Sequence, residues 1–135
     1  MNSSIIRIGA VFAMLSVILG AFGAHAIKDS VDVHSLEIWN KAVSYQFIHA
    51  IALMLCGMLC IGYIERNIKR SAVFFTLGII LFSGSLYILT FRNQISVNVN
   101  WIGPLTPLGG ISFIIGWILL FVATGKKKVR EKINE

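Results

Sequence analysis

The sequence predicts an all-α membrane protein, a four-transmembrane-helix bundle with both termini in the cytoplasm. Three observations predict it. Of 135 residues, 56% are apolar and only 13% are charged, with a mean hydropathy of +0.80. A soluble domain averages about 25% charge, and a chain this small has too much surface for so little to wet it. The apolar residues gather into four runs, each close to the ~20 residues a helix needs to cross the hydrocarbon core. The basic residues sort to one side of the resulting topology. Soluble enzymes, nucleic-acid domains and disordered tails are excluded on these grounds. The length allows one membrane domain, residues 1–135.

The first run is Ile5–Ile27, with Arg7 as its one charge. In lipid the backbone must satisfy its own hydrogen bonds, so a helix is expected here and in every run. Arg7, the stretch Ile8–Ala24 and the Ala24-His25-Ala26 triplet imitate a signal peptide. That stretch exceeds the usual h-region of about 7–15 residues, so the span is expected to be retained. Ser16, Gly20 and Ala24 recur at i, i+4 and i+8, with Gly23 beside them. Small residues at this spacing let two helices approach closely, within one bundle or between copies of a homo-oligomer.

The second run, Ala42–Ile64, carries no charge. Before it, Asp32 is placed to cap a helix, and Val33, Leu36 and Trp39 read as an amphipathic stretch at the membrane surface. Trp39 is expected there as an aromatic anchor, and His34 in solvent. Within the run Tyr45, His49, Ala52, Cys56 and Cys60 form one stripe, with Gln46 beside it. The cysteines are expected to pack as small apolar side chains. Adjacent turns do not favour a disulfide, and no further thiol completes a metal site.

The third run, Ser71–Phe91, is also free of charge. Ser83, Tyr87 and Thr90 share a face, with Thr76 two turns earlier and Ser85 nearby. The segment Asn93–Asn100 alternates apolar and polar residues and is expected to be extended. The fourth run, Trp101–Thr124, is again uncharged. Its helix is expected to start at Pro107, behind a Thr106 N-cap, because proline at the first helical position needs no N–H partner. Trp101–Leu105 is then expected to be extended or re-entrant.

Four spans put both termini and the middle loop on one side. That side holds Arg7, Arg66, Lys69, Arg70, Lys126, Lys127, Lys128, Arg130 and Lys132; the other holds Lys28, Lys41 and Arg92. The positive-inside rule places the larger group in the cytoplasm of a plasma-membrane protein. The net charge of +6 is thus an orientation signal and not a nucleic-acid signal. The basic tail, residues 125–135, is also suited to anionic lipid of the inner leaflet.

Read with this topology, His25, Tyr45, Gln46, His49, Ser83, Ser85, Tyr87 and Thr106 fall in the outer half of the bundle. Polar stripes avoid lipid and turn inward. They form hydrogen-bond glue between helices, a small polar pocket opening outward, or both together. No catalytic residues, metal ligands or cofactor are assigned.

Four segments together resemble a family of small bacterial membrane proteins, domain of unknown function 423 or uncharacterised protein family 0382, to which eukaryotic transmembrane protein 256 is related. They are Gly20-Ala21-Phe22-Gly23-Ala24-His25-Ala26, Tyr45-Gln46-Phe47-Ile48-His49-Ala50, Phe82-Ser83-Gly84-Ser85-Leu86-Tyr87 and Gly103-Pro104-Leu105-Thr106-Pro107-Leu108-Gly109-Gly110. The resemblance covers all four spans. It implies a four-span plasma-membrane protein and supplies no activity. Ile48 departs from the tyrosine many members carry, and the basic tail is longer than the family suggests.

Three function classes follow. One is a structural, interaction or envelope-associated protein, favoured by the helix-packing motif and the lack of embedded charge. A second is a binder or carrier of a small solute or lipid headgroup, using the outer pocket. All six acids lie in loops or the tail, so proton coupling would fall to His25 or His49. The third, an intramembrane enzyme built on Tyr45, His49 and Ser83, lacks a nucleophile elbow, a metal pair or an acidic cluster.

Overall fold

A computed structural model of the chain describes residues 1–61, 65–94 and 99–125. Helix α1 spans Ser3–Phe22 and continues through a π-helical turn, Gly23–Ile27. Helix α2 spans Val33–Leu59, 27 residues, or about 40 Å of rise. Helix α3 (Glu65–Gly78) runs through a second π turn, Ile79–Ser83, into α4 (Gly84–Thr90). Helix α5 spans Leu105–Thr124. The four resulting rods, Ser3–Ile27, Val33–Leu59, Arg66–Thr90 and Leu105–Thr124, are each long and apolar enough to cross a membrane. No strand occurs among the described residues.

Local chemistry sets the helix starts. The Asn2 side chain accepts from the Ile5 amide at 3.2 Å and caps α1. Asp32 caps α2 as its position suggests, accepting from the Ser35 amide at 2.9 Å and the Ser35 hydroxyl at 2.8 Å. The Ser35 amide, then its hydroxyl, hold the Asp32 carboxyl below the ordinary carboxylate value. Helix α5 begins at Leu105, two residues ahead of the expected Pro107. Pro104 already adopts helical angles (φ −62°, ψ −20°), so the chain turns helical before Thr106. Pro107 then lies in the first turn, where a missing N–H costs nothing. Ahead of it, Asn100–Ile102 form a 3-10 turn rather than an extended stretch. Of the segment expected to be extended, residues 95–98 lie outside the described residues, as do residues 126–135 of the basic tail.

The rods pack mainly in chain order: α1 on α2, α2 on α3 and α4, and α3 on α5. Helix α2 is central and α1 peripheral; the most apolar stretch of α2 is 44% buried and that of α1 only 11%. The main core joins Leu53 and Cys56 of α2, Ile68 and Phe75 of α3, and Phe113, Leu120 and Ala123 of α5.

Glycines set both helix registers. A Cβ at Gly9 would lie 2.7 Å from the Met54 side chain, and one at Gly57 2.5 Å from that of Ile6. Between α3 and α5, Cβ atoms at Gly78, Gly109 and Gly116 would strike Phe113, Phe82 and Phe75. The α1 face toward α2 contains buried Gly9, Ser16 and Gly23, with half-buried Gly20. Ala24 is exposed and does not join it. Seven residues on, Gly23 is rotated only about 20° from Ser16; eight residues on, Ala24 is rotated about 80°.

Trp39 departs from its expected place at the membrane surface. It is 6% exposed, and its indole N–H donates to the Leu19 carbonyl at 2.9 Å. Gly23 opens the notch, since a Cβ there would lie 2.8 Å from the indole ring. Trp39 therefore ties α1 to α2 and meets Tyr87 edge-on, with centroids 4.7 Å apart.

Candidate functional site

His49 is the histidine that the fold encloses, at 5% exposure. It belongs to the stripe that continues through buried Ala52, Cys56 and Cys60. Both ring nitrogens are engaged. Nδ1–H donates to the Tyr45 carbonyl one turn earlier at 2.7 Å, and Nε2 accepts from the Trp117 indole at 3.1 Å. These partners define the neutral tautomer with the proton on Nδ1. The imidazole lies flat on Phe113, with centroids 3.5 Å apart and planes 13° apart. The Trp117 ring also meets Phe75 edge-on at 4.9 Å.

A second constellation joins three rods. The Gln46 amide donates to the Phe12 carbonyl of α1 at 3.0 Å, and its oxygen accepts from the Tyr87 hydroxyl of α4 at 3.0 Å. Ser16 donates to the same Phe12 carbonyl at 2.9 Å. A third joins α4 to α5: the Ser85 and Thr106 hydroxyls share a hydrogen bond of 2.7 Å, and Ser85 also donates to the Phe82 carbonyl. Further along, Ser71 of α3 donates to the Gly116 carbonyl of α5 at 2.7 Å, with the Cys56 sulfur 3.8 Å from its oxygen.

The candidate residues therefore do not share one layer. Thr106 and Trp117 lie eleven residues apart on α5, about 16 Å of rise. The Ser85–Thr106 pair and the His49–Trp117 pair accordingly occupy different depths. His25 stands apart from both; it is exposed on the first π turn. Tyr45 stacks on Phe82 at 4.6 Å and remains 40% exposed. Ser83 is fully buried, and its hydroxyl has no hydrogen-bond partner among the described residues.

What lies beside His49 is a cleft of about 340 Å³ between α2 and α5. Tyr45, His49, Phe82, Phe113, Ile114 and Trp117 line it. Rings and carbon dominate its walls, and Tyr45, Ile114 and Trp117 are all at least 40% exposed at its mouth. Its lining is mainly aromatic and aliphatic, with few polar atoms. Among the described residues no three His, Cys, Asp or Glu side chains converge as metal ligands.

Sequence reasoning missed Trp117 and Phe113, the two side chains that complete the His49 site. It also missed the Phe12 and Leu19 carbonyls, which no side-chain pattern marks. A usable signal was present in the matched steps of Phe75, Gly78 and Phe82 against Gly116, Phe113 and Gly109. That complementarity aligns α3 with α5, and alignment brings Trp117 near the level of Phe75.

Comparison with known proteins accords with this architecture. A UPF0382 membrane protein of Staphylococcus aureus (strain bovine RF122 / ET3-1) is 45% identical over 121 residues, spanning 90% of this chain and 94% of that protein. The UPF0382 membrane protein YwdK of Bacillus subtilis (strain 168) is 40% identical over 126 residues, spanning 90% and 95%. A UPF0382 membrane protein of Staphylococcus saprophyticus is 40% identical over 121 residues, spanning 90% and 96%. No solved structure matches the chain. The family model described as "Protein of unknown function (DUF423)" matches residues 19–110, a stretch that includes Trp39, Gln46, His49, Tyr87 and Thr106. With four apolar membrane-crossing helices and these relatives, the chain is a multi-pass membrane protein that belongs to the DUF423 family.

Proposed function

We propose that the chain is a structural or interaction protein of the plasma membrane, with both termini cytoplasmic. The observation that carries this reading is the engagement of the His49 and Gln46 side chains at the centre of the bundle. Both nitrogens of His49 and both ends of the Gln46 amide are spent on neighbouring backbone or side chains. Groups so engaged hold helices together and offer little to a passing solute. The Ser83 hydroxyl makes no hydrogen bond to His49, which argues against a nucleophile and base.

A second reading, a binder or carrier, draws support from the cleft beside His49. Its ring-lined walls favour a flat apolar group over a headgroup or a charged solute.

Native mass spectrometry of the full chain in lipid nanodiscs, on wild type and His49→Ala, separates the readings. The structural reading expects a lower folded yield and no bound species lost. A normal yield with loss of a co-purifying molecule would overturn it in favour of the binder. Orientation is tested separately with Asp29→Cys and Arg66→Cys in intact cells. An impermeant thiol reagent should label the first and not the second; the reverse pattern would invert the topology.

A further inference from the structure

A groove of about 480 Å³ lies between α1 and α3, over α2, away from the His49 cleft. Ile5 and Ile8 form one wall, Val73 and Leu77 the other, and Leu53 the floor. Asn2, Ser4 and Lys69 line the same groove. Helices α1 and α3 run in the same direction, because α2 reverses the chain between them. Asn2, Ser4 and Lys69 therefore gather at one end, while deeper in, the Thr76 hydroxyl is turned back onto the Ala72 carbonyl of its own helix at 2.9 Å. Ile8 lies about 6 Å deeper than Ser4, and Leu77 about 12 Å deeper than Lys69. The result is a slot with a carbon-lined shaft and a polar, basic mouth at the membrane surface.

We propose that this groove binds an anionic glycerophospholipid, with one acyl chain in the shaft and the phosphate at the mouth. Charge selects this occupant. Lys69 is the base in the groove's lining; Arg66 and Arg70 flank it in the sequence of α3, and Arg7 lies near the same end of α1, outside the lining. An acyl chain gains little by leaving surrounding lipid for an apolar slot, since both are hydrocarbon. Preference among lipids must then come from the headgroup. Each basic residue near an anionic lipid surface contributes the equivalent of about fivefold in affinity. The shaft supplies fit and residence, and the mouth supplies selection. The site is built from the rods themselves and does not require the basic tail.

The test uses purified full-length protein, delipidated and titrated with phosphatidylglycerol or phosphatidylcholine, with bound lipid counted by native mass spectrometry. Wild type should retain phosphatidylglycerol over phosphatidylcholine by about fivefold or more. Lys69→Gln should bring the ratio toward one, and Lys69→Arg should restore it. Val73→Trp fills the shaft from α3, and Ile8→Phe fills it from α1 should the first variant misfold. Either should cut retained phosphatidylglycerol several-fold, whereas Ile118→Trp, on an exposed part of α5 outside the groove, should not. Equal retention of the two lipids by wild type would overturn the proposal. So would shaft-filling variants that retain lipid as Ile118→Trp does.

Discussion

Phe82 rests in the space that Gly109 leaves empty: a Cβ at Gly109 would fall 2.3 Å from the Phe82 backbone nitrogen. The same helices repeat the arrangement at Gly78 with Phe113 and at Gly116 with Phe75. Three and then four residues up the third rod, from Phe75 of α3 through Gly78 to Phe82 of the π turn, match three and then four residues down α5, from Gly116 through Phe113 to Gly109. In lipid no hydrophobic driving force holds helices together, so shape complementarity and hydrogen bonds must do it.

Gly109→Ala should therefore destabilise the protein by about 1–3 kcal/mol, the usual cost of overpacking. The clash is with backbone, which cannot swing aside. Gly84 is the control, because nothing lies within 4 Å of a Cβ placed there. Gly84→Ala should be neutral or stabilise by up to about 1 kcal/mol, since alanine favours a helix over glycine. Thermal or denaturant unfolding in detergent or bicelles reads both. Equal effects at the two sites would show that the glycines do not set the register.

Disconnecting His49 from Trp117 should cost a modest amount. A double-mutant cycle of His49→Phe and Trp117→Phe should give a coupling of about 0.6 kcal/mol, and no more than about 1.7. Nitrogen NMR of the imidazole should find the proton on Nδ1 and Nε2 acting as acceptor. A proton on Nε2 would contradict the Trp117 donor.

Gln46→Leu should be costlier than its size suggests. The Phe12 carbonyl would keep Ser16 as a donor, but the half-buried Tyr87 hydroxyl would lose its partner. An unsatisfied buried polar group costs about 1–3 kcal/mol. Adding Tyr87→Phe should recover part of that loss, because it removes the stranded hydroxyl. No recovery in the double variant would place the Tyr87 hydroxyl elsewhere.

The Asp32 cap should be sensitive to acid. Its carboxyl is held below its ordinary value of 3.8 by the Ser35 amide and hydroxyl. A depressed value means that the folded state favours the ionised form. Its stabilising contribution is then complete above the ordinary carboxylate value and is lost as pH falls through the lower folded one. A carbon NMR titration should put the Asp32 midpoint below 3.8. Asp32→Asn keeps the cap and should remove this pH dependence, leaving the first turn of α2 protected from exchange at acid pH.

Periodicity showed which residues lie on one face of one helix. Of the stripe Tyr45, His49, Ala52, Cys56 and Cys60, all but the 40% exposed Tyr45 are buried; of Ser16, Gly20, Gly23 and Ala24, Ser16 and Gly23 are buried and Ala24 is exposed. Periodicity could not show which residue on another helix meets that face. Trp117 is 68 positions from His49, and Tyr87 is 41 from Gln46. It also misplaced Trp39, whose amphipathic setting resembled a surface anchor while a notch at Gly23 drew it inward.

The amino-acid order alone determined four apolar rods, the Asp32 cap and much of the inward faces of α1 and α2, because backbone hydrogen bonding in lipid and helical repeat act within a single segment. Interhelical fit decided the rest: which carbonyl takes each donor, how far apart the polar pairs lie, and where grooves remain. Those outcomes depend on glycine notches and aromatic knobs meeting across tens of residues, a match of shapes that exists only once the rods are side by side.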